Sequence, residues 1–177
     1  MAAPPDHFAR FGLPRRYAVD LAQLDAAYER LSFAHHPDFV AGAPPQARAE
    51  AEHAAAALNE AYRILRSGDE RAAYLLGLLA AGQAPDGEPL PPGFLQEMFG
   101  LQEDIENLPA GDSAGRAGLL AQVRERQARV LEARQALFAR LEAAPPPAPQ
   151  EALRALQANL NCARYLRRLA DSLEART

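Results

Sequence analysis

The sequence predicts an all-α protein built in two helical parts. Apolar residues recur three and four positions apart along most of the chain, and no segment shows a convincing period of two. Helix-starting residues such as Asp6 and Asp20 stand just ahead of periodic segments. Clusters of Pro and Gly then divide the pattern, at 42–45, across 81–93 and at 145–147.

Asp6 can cap a short first helix carrying Phe8 and Phe11, which Gly12 and Pro14 end. Asp20 with Gln23 resembles a capping box, and Leu21, Leu24, Tyr28 and Leu31 form a stripe running to about residue 35. Pro37 blocks any continuation. The third helix is expected over 46–66, with Ala51, Ala54, Leu58, Ala61 and Leu65 on one face. A fourth starts near residue 69, capped by Asp69 or Ser67, and carries Ala72, Leu75, Leu76 and Leu79. Tyr28, Tyr62 and Tyr74 are assigned to the core of this first part, residues 1–80.

Residues 81–93 read as a linker stiffened by proline. Three more helices are expected over 92–108, 113–143 and 150–176. The first has Phe94, Met98, Leu101, Ile105 and Leu108 inside; the second has Leu119, Val123, Val130, Leu137 and Leu141; the third has Leu153, Leu156, Leu160, Leu166, Leu169 and Leu173. Short connections favour an antiparallel three-helix bundle over 94–177.

Composition narrows the function. The net charge is −4 over 177 residues, unlike the basic footprint of a nucleic-acid binder. All 19 basic residues are arginine. A single cysteine, Cys162, allows neither an internal disulfide nor a cysteine metal cluster, and it reads as a small buried residue. No apolar run is long enough to span a bilayer, and the first residues lack the apolar core of a secretion signal. A soluble protein of a bacterial cytoplasm is expected, with no membrane partner and no cofactor. No acid, base and nucleophile converge, so an enzyme is not expected.

Two places carry recognition chemistry. The first is His36-Pro37-Asp38, between the second and third helices. Pro37 fixes φ, His36 can hydrogen-bond to position the turn, and Asp38 presents a carboxylate suited to a bidentate arginine on a partner. The alternative is a plain helix–turn–helix corner, in which Pro-Asp is an ordinary turn pair. His35, His36, Asp38 and His53 offer no ligand pair at helical spacing, so no metal site is expected. The second place is the fifth helix. Leu95 and Phe99 fall roughly 100° and 140° around from Phe94, outside the core stripe and beside Gln102, Glu103 and Glu106. This is either a recognition patch or a packing surface for the last helix or for the first part.

A short helix, an antiparallel pair joined by His-Pro-Asp, and a short fourth helix resemble a J domain. The resemblance extends through Asn59-Glu60-Ala61-Tyr62-Arg63-Ile64-Leu65 and Arg71-Ala72-Ala73-Tyr74-Leu75-Leu76. The opening His7-Phe8-Ala9-Arg10-Phe11-Gly12-Leu13-Pro14, together with Tyr17, is similar to the narrower HscB group of J-type co-chaperones, which serve iron–sulfur cluster assembly. That resemblance implies that His36, Pro37 and Asp38, with Arg30 and His35, dock on the ATPase module of a DnaK-type chaperone, its HscA-like relative, and stimulate ATP hydrolysis there. It further implies that the C-terminal domain binds the IscU-type scaffold protein through Leu95, Gln96, Glu97, Phe99 and Glu103. Tyr165 joins that surface in the family's arrangement, and reads equally as a core-edge tyrosine. The chain departs from the family at Phe39, where J domains commonly carry a basic residue, and in a second helix whose obvious cation is Arg30. Gln96 stands where Met is frequent, and Gly100 and Asn107 where acids are common. A general J-domain co-chaperone with another client, and a helical assembly protein without a chaperone role, are the rival readings.

Overall fold

The computed structural model describes residues 6–34, 42, 44–80, 90–144 and 146–175. All of its regular structure is helical: α1 His7–Phe11, α2 Leu21–Ala34, α3 Pro45–Arg66, α4 Gly68–Leu79, α5 Phe94–Glu106, α6 Ser113–Ala143 and α7 Gln150–Glu174. The chain divides into two compact units, Met1–Leu75 and Leu76–Thr177.

The local signals act as expected in the first unit. The Asp6 side chain accepts from the Ala9 amide at 2.8 Å. Gly12 ends α1 at φ +68°, a left-handed conformation that costs glycine little, and the Leu13 amide reaches the Phe8 carbonyl at 2.9 Å. Asp20 accepts from the amides of Ala22 and Gln23 and caps α2. For α4 the cap is Ser67, whose hydroxyl accepts from the Glu70 amide at 3.3 Å.

α2 and α3 run antiparallel: Tyr28 bonds to Asn59, while Asp25, one turn earlier, meets Tyr62 and Arg66. The core holds Phe8, Phe11, Tyr17, Leu24, Ala27, Leu58, Ala61, Leu65, Ala72 and Leu75. Leu21 departs from the expected stripe and is exposed; Ala27 takes the inner position instead. The three tyrosines expected in the core lie at its edge, half-buried. Tyr28 and Tyr62 stack at 4.0 Å with both hydroxyls turned to polar partners, which fits a phenol better than full burial does.

Arg71 is the buried polar side chain among the described residues of this unit. Its guanidinium donates to the Tyr17 carbonyl at 2.9 Å and to the Leu65 carbonyl, and it lies 5.2 Å over the Tyr17 ring. The Leu65 carbonyl is among the last four of α3, which no helical amide can satisfy. One side chain thus joins the C-terminus of α3, the loop ahead of α2 and α4.

In the second unit α6 is antiparallel to both of its neighbours. Arg124 pairs with Glu174, and Arg134 bonds to Asn159, so α6 and α7 oppose. Arg126 pairs with Glu97 near the start of α5, while Leu108, just past its end, lies beside Gly115. Met98, Leu101 and Ile105 pack with Leu119, Val123, Leu166, Leu169, Ala170 and Leu173. The six leucines expected inside α7 are all buried. On α6 the inner face turns from Leu119 and Val123 to Arg134, Phe138 and Leu141; Leu137 is half-buried where burial was expected. The reason is length. α5 spans about 20 Å and α6 about 46 Å at 1.5 Å per residue, so residues 134–141 lie beyond the reach of α5. Arg134 is 2% exposed, donates to Asn159 Oδ1 at 3.0 Å, and Asn159 in turn donates to the Val130 carbonyl at 2.8 Å.

Replacing Arg71 by Met keeps the apolar stem and removes both carbonyl contacts. It should destabilise the first unit by about 2–3 kcal/mol, read from denaturant unfolding. His7 supplies a pH test. Its ring stacks on Tyr74 at 4.2 Å, its Nδ1 is buried without a partner, and burial, then the nearby Arg10, lowers its pKa below 6.5 against the pull of Glu60 and Asp6. The unfolded chain therefore takes up the proton first. Stability should be full above the ordinary histidine range and fall as pH drops below about 6.5, and the His7→Gln variant should lack that part of the slope in denaturation midpoints between about pH 5 and 7.5.

Candidate functional site

α5 has a buried face and an exposed one. Gly93, at φ +80°, turns the chain into it. Met98, Leu101 and Ile105 then fill the core, and Phe94 and Leu108 pack at its edge. That set satisfies the apolar needs of a thirteen-residue helix. Leu95 and Phe99 are left over. They are 43% and 62% exposed, so packing against the last helix does not account for them. Glu97, Glu103, Asp104 and Glu106 make α5 wholly acidic, with no basic residue in it.

The expected scaffold-binding residues do not all share one side. Leu95, Phe99 and Glu103 follow one another around the outer flank, with Gln96 at its far edge; all four are exposed. Glu97 lies on the other flank, about 160° from Leu95 by helical geometry, where its carboxylate accepts from Arg126 of α6 at 2.7 Å. Tyr165 takes the core-edge place, one of the two expected for it. It is half-buried at the rim of the core and meets the Phe94 ring edge-on at 6.0 Å. Its ring thus braces the start of α5 while its hydroxyl forms no hydrogen bond among the described residues.

The chaperone-binding set is only partly described. His35, His36, Pro37 and Asp38 lie outside the described residues, as does most of the Pro/Gly-rich stretch 81–93. Arg30 is on α2 and exposed. Around it α2 carries Asp25 and Glu29, and Asp25 is engaged by Tyr62 and Arg66. On the neighbouring α3, Arg63 pairs with Glu60 and Glu70 and Arg66 with Asp25, while Arg48 stands exposed. Phe33, which the periodicity did not single out, is 71% exposed on the side of α2 away from Leu24. The signal was available: at about 100° per residue, position 33 is half a helical turn out of phase with Leu24 and nearly so with Leu31.

Cys162 is buried, and burial pushes its thiol up to about 11, which keeps it protonated and unreactive at neutral pH. Among the described residues no group of three His, Cys, Asp or Glu is placed to hold a metal ion, and no helix is long and apolar enough to cross a membrane.

The face assignment predicts a contrast in stability. Leu95→Ala and Phe99→Ala should each change unfolding free energy by less than about 0.5 kcal/mol, whereas Met98→Ala, one position away, should cost about 2–4 kcal/mol in the same denaturation measurement.

No protein-family profile matches the sequence. Individual proteins do. The chain is 44% identical over 106 residues to the co-chaperone protein HscB homologue of Cupriavidus taiwanensis, an alignment covering 57% of this chain and 60% of that protein, less than two thirds of its length. It is 38% identical over 131 residues to the corresponding protein of Ralstonia nicotianae, covering 72% of this chain and 74% of the relative. Among solved structures, the chaperone HscB from Vibrio cholerae superposes with a TM-score of 0.78 at 26% identity over 96% of each chain. The human co-chaperone HscB superposes with a TM-score of 0.80 over 98% of this chain and 83% of that one; at 21% identity it speaks for the fold alone.

Proposed function

We propose that this chain, which belongs to the HscB family of co-chaperones, stimulates the ATPase of an HscA- or DnaK-type chaperone and delivers to it an IscU-type scaffold protein during iron–sulfur cluster assembly. In this reading residues 1–80 form the J domain, 81–93 the linker and 94–177 the scaffold-binding domain. The protein carries out no bond chemistry of its own; it brings two partners together in a bacterial cytoplasm.

One observation supports the scaffold half most directly. Leu95 and Phe99 stand exposed on an acidic helix whose core face is already complete. Apolar side chains held rigidly on a helix lose little conformational entropy on binding, and a few of them can supply most of the energy of an interface. Acidic residues beside them favour a partner with a basic rim and raise the encounter rate. For the chaperone half, His36-Pro37-Asp38 with Arg30 and His35 is the proposed grip. Asp38 on a proline-fixed turn suits a bidentate arginine. The low charge of α2 suits a chaperone surface that does not demand a basic helix.

Steady-state ATPase of the cognate chaperone, with and without scaffold, tests both grips. Asp38→Asn should remove stimulation altogether while leaving scaffold affinity intact. Leu95→Ala combined with Phe99→Ala should weaken scaffold binding roughly 30- to 1,000-fold, at about 1–2 kcal/mol for each side chain, and keep scaffold-independent stimulation. Stimulation that survives Asp38→Asn overturns the chaperone grip. Stimulation indifferent to added scaffold, with no binding to it, makes the protein a general co-chaperone instead.

A further inference from the structure

Near the start of α5 lies a small groove of about 110 Å³, lined by Leu90, Asn161, Arg164, Tyr165 and Arg168. Four of these residues come from α7 at spacings of three and four, which sets them on one side of that helix. Tyr165 links the groove to α5 through its edge contact with Phe94.

The polar groups here differ in what they are committed to. Arg164 donates to the Asn161 side-chain carbonyl, which holds its guanidinium in place. Arg168 is exposed and has no hydrogen bond or ion pair among the described residues, and the same is true of the hydroxyl of Tyr165. Elsewhere Arg63, Arg66, Arg124 and Arg126 are each paired with a carboxylate of this chain. The groove therefore offers a free guanidinium fork and a phenol, beside a second arginine fixed nearby. That donor set, with no acceptor charge to oppose it, fits a carboxylate.

We infer that this groove seats an Asp or Glu side chain of the scaffold protein, gripped by Arg168 and the Tyr165 hydroxyl. The inference rests on the reading that α5 binds that scaffold, and it adds direction. The partner would set apolar residues on Leu95 and Phe99, keep basic ones toward Glu103 and Glu106, and place an acid over α7. The four acids of α5 repel a partner carboxylate, and the arginines of α7 attract it, so the reversed orientation is disfavoured at both edges.

Isothermal titration of the full chain with the scaffold protein tests this. Arg168→Ala should weaken binding about tenfold, as expected for a charged hydrogen bond lost at an interface, and Arg168→Glu should weaken it further. Tyr165→Phe keeps the ring against Phe94 and removes the hydroxyl; a loss of about two- to tenfold is expected. Arg154→Ala, an exposed arginine of α7 outside the groove, serves as the reference and should stay within about twofold of the unaltered chain. Raising the salt concentration should weaken the unaltered complex more than that of Arg168→Ala. An Arg168→Ala variant that binds like Arg154→Ala overturns the inference. If the Leu95, Phe99 double variant still loses affinity in that case, scaffold binding by α5 stands and only the groove is wrong. If the double variant also binds normally, the reading beneath falls as well.

Discussion

Met98, Leu101 and Ile105 are wedged between α6 and α7, and the second unit depends on that contact. α6 and α7 are long helices that lie against each other along most of their length, and α5 closes the open side of one stretch of the pair. A helix this short has room for a single apolar stripe. Once that stripe is buried, every other side chain of α5 must face a flank or solvent. The flank toward α6 is taken up by the Glu97–Arg126 pair. The remaining flank, with Leu95, Phe99 and Glu103, faces solvent, and it is the flank proposed to bind the scaffold. Because Phe94 is edge-packed on Tyr165, the exposed residues are carried on a rigid element, which limits the entropy lost on binding.

The first unit is organised by a different constraint, the need to satisfy a buried charge. The guanidinium of Arg71 is placed where the last carbonyls of α3 lack partners, and burial pushes its pKa down without removing its charge. By holding the Leu65 and Tyr17 carbonyls together, it joins segments far apart in sequence. The partners of an arginine this deep must stay in place, because an unpaired buried charge is far costlier than an exposed one. This makes the packing of α1 through α4 specific, and it is this packing that holds the antiparallel pair on whose connection the chaperone grip is proposed to sit.

The distribution of arginine matters as much as its number. With no lysine in the chain, every cation is a planar fork able to grip two acceptors. Arg71 and Arg134 are used inside the units, and Arg63, Arg66, Arg124 and Arg126 answer carboxylates on neighbouring helices or turns. Others, among them Arg30, Arg48, Arg140, Arg154 and Arg168, stand exposed on the surface. The acidic helix α5 and the groove at Arg168 are of opposite sign, and the Phe94–Tyr165 contact links them.

Much of this was legible in the sequence because it is local. Caps at Asp6 and Asp20, the end of α1 at Gly12, and the stripes of α5 and α7 depend on residues within a turn or two of each other, and three- and four-residue spacing reports them directly. The separation of Leu95 and Phe99 from the core of α5 is likewise a matter of angle along one helix. What spacing does not encode is which helix lies opposite. Leu21 has the periodicity of a core residue and is exposed, while Ala27 is buried. Leu137 gives way to Phe138 because α5 ends before that stretch of α6. Arg71 and Arg134 occupy inner positions that polarity alone would put outside, since their partners, Tyr17 and Asn159, are brought to them only by the folded chain. Glu97 shares a helix with Leu95, yet it is turned away toward Arg126. The sequence by itself determined the helices and the phase of each apolar stripe. The tertiary structure decided which phase is covered and which charge is answered, because burial depends on neighbours that are distant along the chain.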